Sequence, residues 1–172
     1  MGDTIVIVIC IILGAILMFV FPMMSMSARN DDIAQVAVQS ATAEYVSTIS
    51  STGKITSEEY DKFVQTVYAT GNTYDIEFEI QVSDGNPAKK TTTVNPTKTG
   101  EQEYYSVFTN EVMDKLNKDG EYVLKKGDIV TVTVKNNNQT LFQTLQSVFY
   151  STTSDSYQIG AQQAAVVGTS GQ

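Results

Sequence analysis

An uncharged run from Thr4 to Ala28, TIVIVICIILGAILMFVFPMMSMSA, decides most of what this chain can fold into. As a helix rising about 1.5 Å per residue it is ~35 Å long, against a bilayer hydrocarbon core of roughly 30 Å. Ile, Val, Leu, Phe and Met surround its axis, so no face is left for water. Asp3 bounds the run on one side, and Arg29, Asp31 and Asp32 bound it on the other. The expectation is a single transmembrane helix. A cleaved signal peptide is one competing reading, since Ser25, Ser27 and Ala28 are small enough to precede a cut. Such peptides open with Lys or Arg and have a shorter apolar core, whereas this chain opens Met-Gly-Asp. The core helix of a soluble protein is the other, but it is usually shorter and two-toned.

Beyond the run lie enough residues for one ordinary domain, so the expected division is 1–50 for a long helix and 51–172 for an extracytoplasmic α+β domain. All 11 basic residues and 18 of the 19 acids fall there, a net charge of −7. Nucleic acid and anionic lipid both need basic surface, so neither is expected as a partner. The one cysteine, Cys10, sits in the apolar run, and the chain has no His and no Trp. Most nucleophilic triads, zinc sites and haem ligations are thereby excluded. Flanking charge says little about orientation, since Arg29 is surrounded by acids. A long polar domain translocates largely regardless of charge, so the C-terminal part is expected outside the cytoplasm.

Pro22 removes its own N–H and crowds the carbonyl of Met18, which predicts a kink near the outer membrane edge. Gly14 and Ala15 form a small flat patch at mid-membrane. The helical pattern then continues: Ile33, Val36, Ala37, Ser40, Ala41, Tyr45 and Ile49 recur at three- and four-residue spacing, with Asp32, Gln35, Gln39 and Ser47 opposite. One helix from Thr4 to Ser50 is expected, ended by Gly53. Thr56 and Glu59 have capping-box spacing ahead of a short helix carrying Tyr60, Phe63, Val64 and Val67, stopped by Gly71. Tyr74, Ile76, Phe78, Ile80 and Val82 alternate with acids and Gln81, a half-buried strand. Asp84 to Pro87 reads as a turn, Lys90 to Val94 as its hairpin partner, and Thr99 and Gln102 as a second capping box. Tyr105, Phe108, Val112 and Leu116 predict a helix ending near Gly120. Tyr122 to Leu124 and Val130 to Val134 predict strands joined by a Lys125–Asp128 turn. Asn136 to Asn138 reads as loop. Leu141, Phe142, Leu145, Val148 and Phe149 predict a last amphipathic helix, Ala164 to Val167 an edge strand, and Gly168 to Gln172 a disordered end.

Candidate chemistry is sparse. Asp75, Glu77 and Glu79 align three carboxylates on one strand face, where a catalytic pair or calcium ladder is conceivable; alternation alone also demands polar residues there. Asn30, Asp31 and Asp32 lack EF-hand spacing and mark the lipid–water edge. Lys125-Lys126-Gly127-Asp128 is not a phosphate loop, and Asn138-Gln139-Thr140 matches a glycosylation acceptor, a pattern common by chance. The nine tyrosines read as core and rim. No catalytic, cofactor-binding or metal-binding residue is assigned, and no cofactor is expected.

An apolar N-terminal helix with Pro22 near its outer edge, an amphipathic continuation and then a small sheet resembles the type IV pilin-like class. Asp128 to Val134 as a strand, Leu141 to Tyr150 as an apolar helix and Ala161 to Val167 as a small-residue strand resemble the ending of TadE-like minor pilins of Tad-type systems. The chain departs from the main class in having Asp3 as its only early acid, and from TadE-like chains in lacking an Arg-Glu pair on the last strand. The resemblance implies a pilin-like α+β fold and a structural subunit of a filament or its assembly apparatus, whose partners are membrane lipid and other copies or pilin-like subunits packed along the N-terminal helix. The alternatives are a membrane-tethered accessory protein of an envelope secretion or conjugation machine and, on the carboxylates alone, an envelope hydrolase.

Overall fold

The computed structural model describes residues 2–83, 104–150 and 159–171, with side chains described at all of these except 149 and 150. Helix α1, Gly2–Thr52, runs as one element through Pro22 and is ~77 Å long at 1.5 Å per residue. Its large apolar side chains from Ile5 to Met26 are exposed, save the half-buried Val20 and Met24, and none of its most apolar 18-residue window is buried. That excludes a soluble core helix. The segment is long and apolar enough to cross a membrane, a property that signal sequences share.

From Asp31 onward α1 becomes part of a core. Ala34, Val38, Thr42, Tyr45, Val46 and Ile49 are buried at helical spacing, and the Thr42 hydroxyl is satisfied by the Val38 carbonyl at 2.7 Å. The expected stripe is therefore corrected in its first half. Ile33 and Val36 are 68% and 64% exposed. Two apolar faces exist here, and the sheet covers the one containing Ala34 and Val38. Thr52 ends the helix and Gly53 follows at φ 71°, its N–H bonded to the Ile49 carbonyl. A Cβ on Gly53 would lie 2.1 Å from the Thr169 carbonyl oxygen, so glycine is required twice over at that turn.

The remaining elements are β1 Lys54–Thr56, α2 Ser57–Tyr68, β2 Tyr74–Ser83, β3 Tyr104–Phe108, α3 Thr109–Asp119, β4 Glu121–Val123, β5 Ile129–Asn136, α4 Leu141–Tyr150 and β6 Gly160–Val166. One antiparallel sheet has the order β3-β2-β5-β6, and β1 pairs with β4 in a separate two-stranded ribbon. In β2 and β5 the alternation expected from sequence puts Phe78, Ile80, Val130, Val132 and Val134 in the core. Helix α1 packs on β6 and β5, α2 packs on α1 and α3 on β4. Tyr45 stacks on Phe63 at 4.4 Å between ring centroids and meets Phe78 edge-on, which locks α1, α2 and β2 together.

Three expectations are revised or fall elsewhere. Tyr105 and Phe108 belong to strand β3, not to a helix: Tyr-Tyr-Ser-Val-Phe is β-prone, only Val107 faces the core, and the helix starts at Thr109. Residues 168–171 are docked, not disordered. The Gly168 N–H reaches the Ser50 carbonyl, the Gly171 N–H the Leu124 carbonyl, and Ser170 Oγ accepts from the Lys126 N–H. The Asp84–Pro87 turn, the Lys90–Val94 strand and the Thr99–Gln102 cap lie outside the described residues. At the Thr56–Glu59 box the forward half is present, Thr56 Oγ1 accepting from the Glu59 N–H, while Glu59 Oε2 is buried with no hydrogen-bond partner among the described residues; Gly120 at φ 77° closes α3.

Candidate interaction surface and the joint at Asp31

Where the apolar run ends, α1 meets the rest of the molecule through Asp31. This residue is 4% exposed, unlike Asp32 beside it. The Thr140 hydroxyl donates to Asp31 Oδ2 at 2.6 Å. Burial raises the Asp31 pKa, the Thr140 bond opposes that, and the Asp32 charge adds to it, for a net upward displacement. Thr140 is at the same time the N-cap of α4. Its Oγ1 accepts from the Gln143 N–H at 3.3 Å, and Gln143 Oε1 accepts from the Thr140 N–H at 3.1 Å. This reciprocal capping box, Thr-x-x-Gln, has the same spacing as Thr56 and Glu59 but was missed in the sequence. A polar recess of about 380 Å³ opens beside it, lined by Asn30, Asp31, Asn72, Asn138 and Gln139.

Two further ties bind α1 to the last strand. Gln35 Nε2 donates to the Gly160 carbonyl at 2.7 Å, and the Gly160 N–H donates to Gln35 Oε1 at 2.9 Å. The side-chain amide thus takes the place of a strand neighbour at the free edge of β6. At the other end, Ser50 Oγ donates to the Val166 carbonyl at 2.7 Å.

The three carboxylates singled out on β2 each have a structural partner. Asp75 accepts from Asn137, Glu77 pairs with Lys135 at 3.5 Å across the β2–β5 ladder, and Glu79 accepts from Ser106 of β3. The three carboxylates stand on the solvent side of β2 without converging. Among the described residues no three His, Cys, Asp or Glu side chains group into a metal site. Lys125–Asp128 is a turn held by Asp128, whose buried carboxylate accepts from the Lys125 and Ser83 N–H groups. Asn138 builds the β5–α4 loop by donating to Asn72 and accepting from the Thr73 N–H. Tyr45, Tyr74 and Tyr122 are core residues, while Tyr68, Tyr104 and Tyr105 are exposed.

The dominant surface is apolar. It covers α1 from Ile5 to Met26 and continues past Asp31 and Asp32 through Ile33 and Val36, with Ala37 also exposed and Arg29 set among them. At 3.6 residues per turn this stripe lies nearly opposite the face that α1 buries on the sheet. No protein-family model, curated protein or solved structure matches this chain.

Proposed function

We propose that this protein is a structural subunit of a Tad-type, pilus-like filament or of its assembly apparatus, similar to the TadE-like minor pilins. In this proposal α1 holds it in the cell membrane as a single pass, bent at Pro22, with the α+β domain outside the cytoplasm. The apolar helix packs against other copies or related subunits. One observation carries this. A helix that only anchors a domain has no use for aliphatic surface beyond the lipid, yet Ile33 and Val36 remain exposed to water, two and five residues past Asp31. Exposed aliphatic and small side chains on a helix face are what a neighbouring helix packs into.

The test is to shear surface material from cells producing the protein, image it, and identify its components by mass spectrometry. The subunit is expected in sheared filaments, or crosslinked through Cys substitutions at Ile33 and Val36 to itself or to filament components in membranes. Recovery only from washed membranes, with no such crosslink, favours the tethered accessory protein.

A further inference from the structure

Helix α4 has its polarity reversed for a domain in water. Among its described side chains the most buried is polar, Gln143 at 8% exposure, while Leu141 and Val148 are 73% and 70% exposed and Leu145 is half-buried. At 3.6 residues per turn Leu141, Leu145 and Val148 share one face, flanked by Phe142, and Gln143 and Ser147 share the opposite one. The helix contains no charged residue. A soluble domain turns such a helix over, because apolar area in water is unfavourable in proportion to its extent.

The position of α4 explains the reversal. Its cap residue Thr140 is bonded to Asp31, at the edge of the apolar run. Phe142 then forms one wall of a groove of about 450 Å³ whose other wall is α1, through Ile16, Val20, Phe21, Met24 and Ala28. Those α1 residues cover ~18 Å of helix on the membrane side of Asp31. The outward face of α4 is therefore continuous with the surface of α1 that meets acyl chains.

We propose that α4 is a second membrane element, an interfacial helix lying in the leaflet on the domain side, with Leu141, Leu145 and Val148 turned into the acyl region and lipid filling the groove against α1. This rests on the reading of α1 as a membrane span. Helices of this kind bury their apolar face about 5–10 Å into the headgroup–acyl boundary. Most also use Lys or Arg to hold anionic lipid. With no charge of its own, α4 relies on apolar burial and on its tie to α1, so its insertion is independent of lipid charge and of salt.

The full chain, with Cys10→Ser, is reconstituted in phosphatidylcholine vesicles carrying single cysteines at Leu141, Val148, Met23, Leu17 or Ser47, each labelled with an environment-sensitive fluorophore. Shallow nitroxide lipid is the quencher. The labels at 141 and 148 are expected to lose as much emission as the label at 23, with no loss at 47, and the same result in phosphatidylglycerol. Emission at 141 and 148 matching that at 47, while 17 and 23 are quenched, overturns the proposal and leaves the α1 span standing. No quenching at 17 and 23 overturns the span itself. Dry but unquenched labels at 141 and 148 that crosslink between copies show that a second chain, not lipid, covers α4, and also overturn it.

Discussion

Replacing Thr140 with Val tests whether the Asp31 joint holds the C-terminal part of the domain to the long helix. The substitution keeps the volume and β-branching and removes one hydroxyl. That hydroxyl makes two bonds: it donates to a buried carboxylate at 2.6 Å and accepts from the Gln143 N–H. A hydrogen bond to a charged group contributes about 1.5–3 kcal/mol net, and loss of an N-cap costs about 1 kcal/mol, for a total of about 3 kcal/mol. With a urea m-value of about 2 kcal/mol/M the midpoint falls by about 1.5 M. The readout is near-UV circular dichroism of the tyrosines in the detergent-solubilised full chain, since the core stack of Tyr45 on Phe63 reports tertiary structure. Thr140→Ser keeps both bonds and is expected within about 1 kcal/mol of the parent. Asp31→Asn supplies the pH arm. Folded Asp31 holds its proton above the ordinary value of 3.8, so the native state binds more protons than the unfolded state between the two pKa values. Its contribution therefore falls as pH rises through that window and levels off above the folded pKa. Asn lacks this dependence, so its stability relative to the parent improves with rising pH. A Val variant within about 0.5 kcal/mol of the parent, or a relative stability of Asn that is flat or falls with pH, refutes the joint.

Tyr45→Phe is expected to leave stability unchanged or raise it by about 1 kcal/mol, because the Tyr45 hydroxyl is buried with no partner among the described residues and an unsatisfied buried group carries a desolvation cost; chemical denaturation measures this. Gln35→Ala removes both bonds to Gly160 and is expected to cost about 1–2 kcal/mol, with faster amide exchange at Gly160 than at Val132 as the local sign. Gly53→Ala is expected to lower the midpoint by more than an ordinary glycine substitution, about 2 kcal/mol or more, because positive φ and a backbone clash act together; retention of the parental midpoint would show that the 168–171 segment moves aside at no cost.

How much of this was legible depended on whether a residue's partner was local. The strands of β2 and β5 show themselves by alternation, and Gly53, Gly71 and Gly120 punctuate where expected, because a turn at positive φ is a property of one residue. The α1 stripe was half legible: Ile33 and Val36 keep helical spacing as well as Ala34 and Val38 do, and only the sheet decides between the two faces. Tyr105 and Phe108 sit at helical spacing from Val112 and Leu116, but pairing with Val82 and Glu79 of β2 overrides that coincidence. Gln35 read as solvent-facing because nothing local reveals that its amide would finish a strand edge 125 residues away. The docked end, 168–171, has no apolar pattern at all, since its ties run mainly through backbone groups. At the joint, the Thr140–Gln143 box went unread although its spacing is local, and the burial of Asp31 has no local sign at all: an acid at the end of an apolar run looks like a solvent marker until a hydroxyl arrives from the start of another helix.

Those ties also determine how the two ends of the molecule move together. From Gln35 to Ser50 the helix rises ~22 Å, and from Gly160 to Val166 the strand extends ~20 Å, so α1 and β6 run side by side in the same direction with a bond at each end. Asp31 adds a third fixed point one turn closer to the apolar run. A rod held at three points along its length cannot swivel in its socket, and the element joining the domain to the apolar run is hydrogen-bonded helix instead of linker. The orientation of the sheet is therefore set by the rotation of α1 about its own axis. Any neighbour that grips the Ile33–Val36 face fixes that rotation, and with it the direction in which β2 and β3 face, without touching either strand.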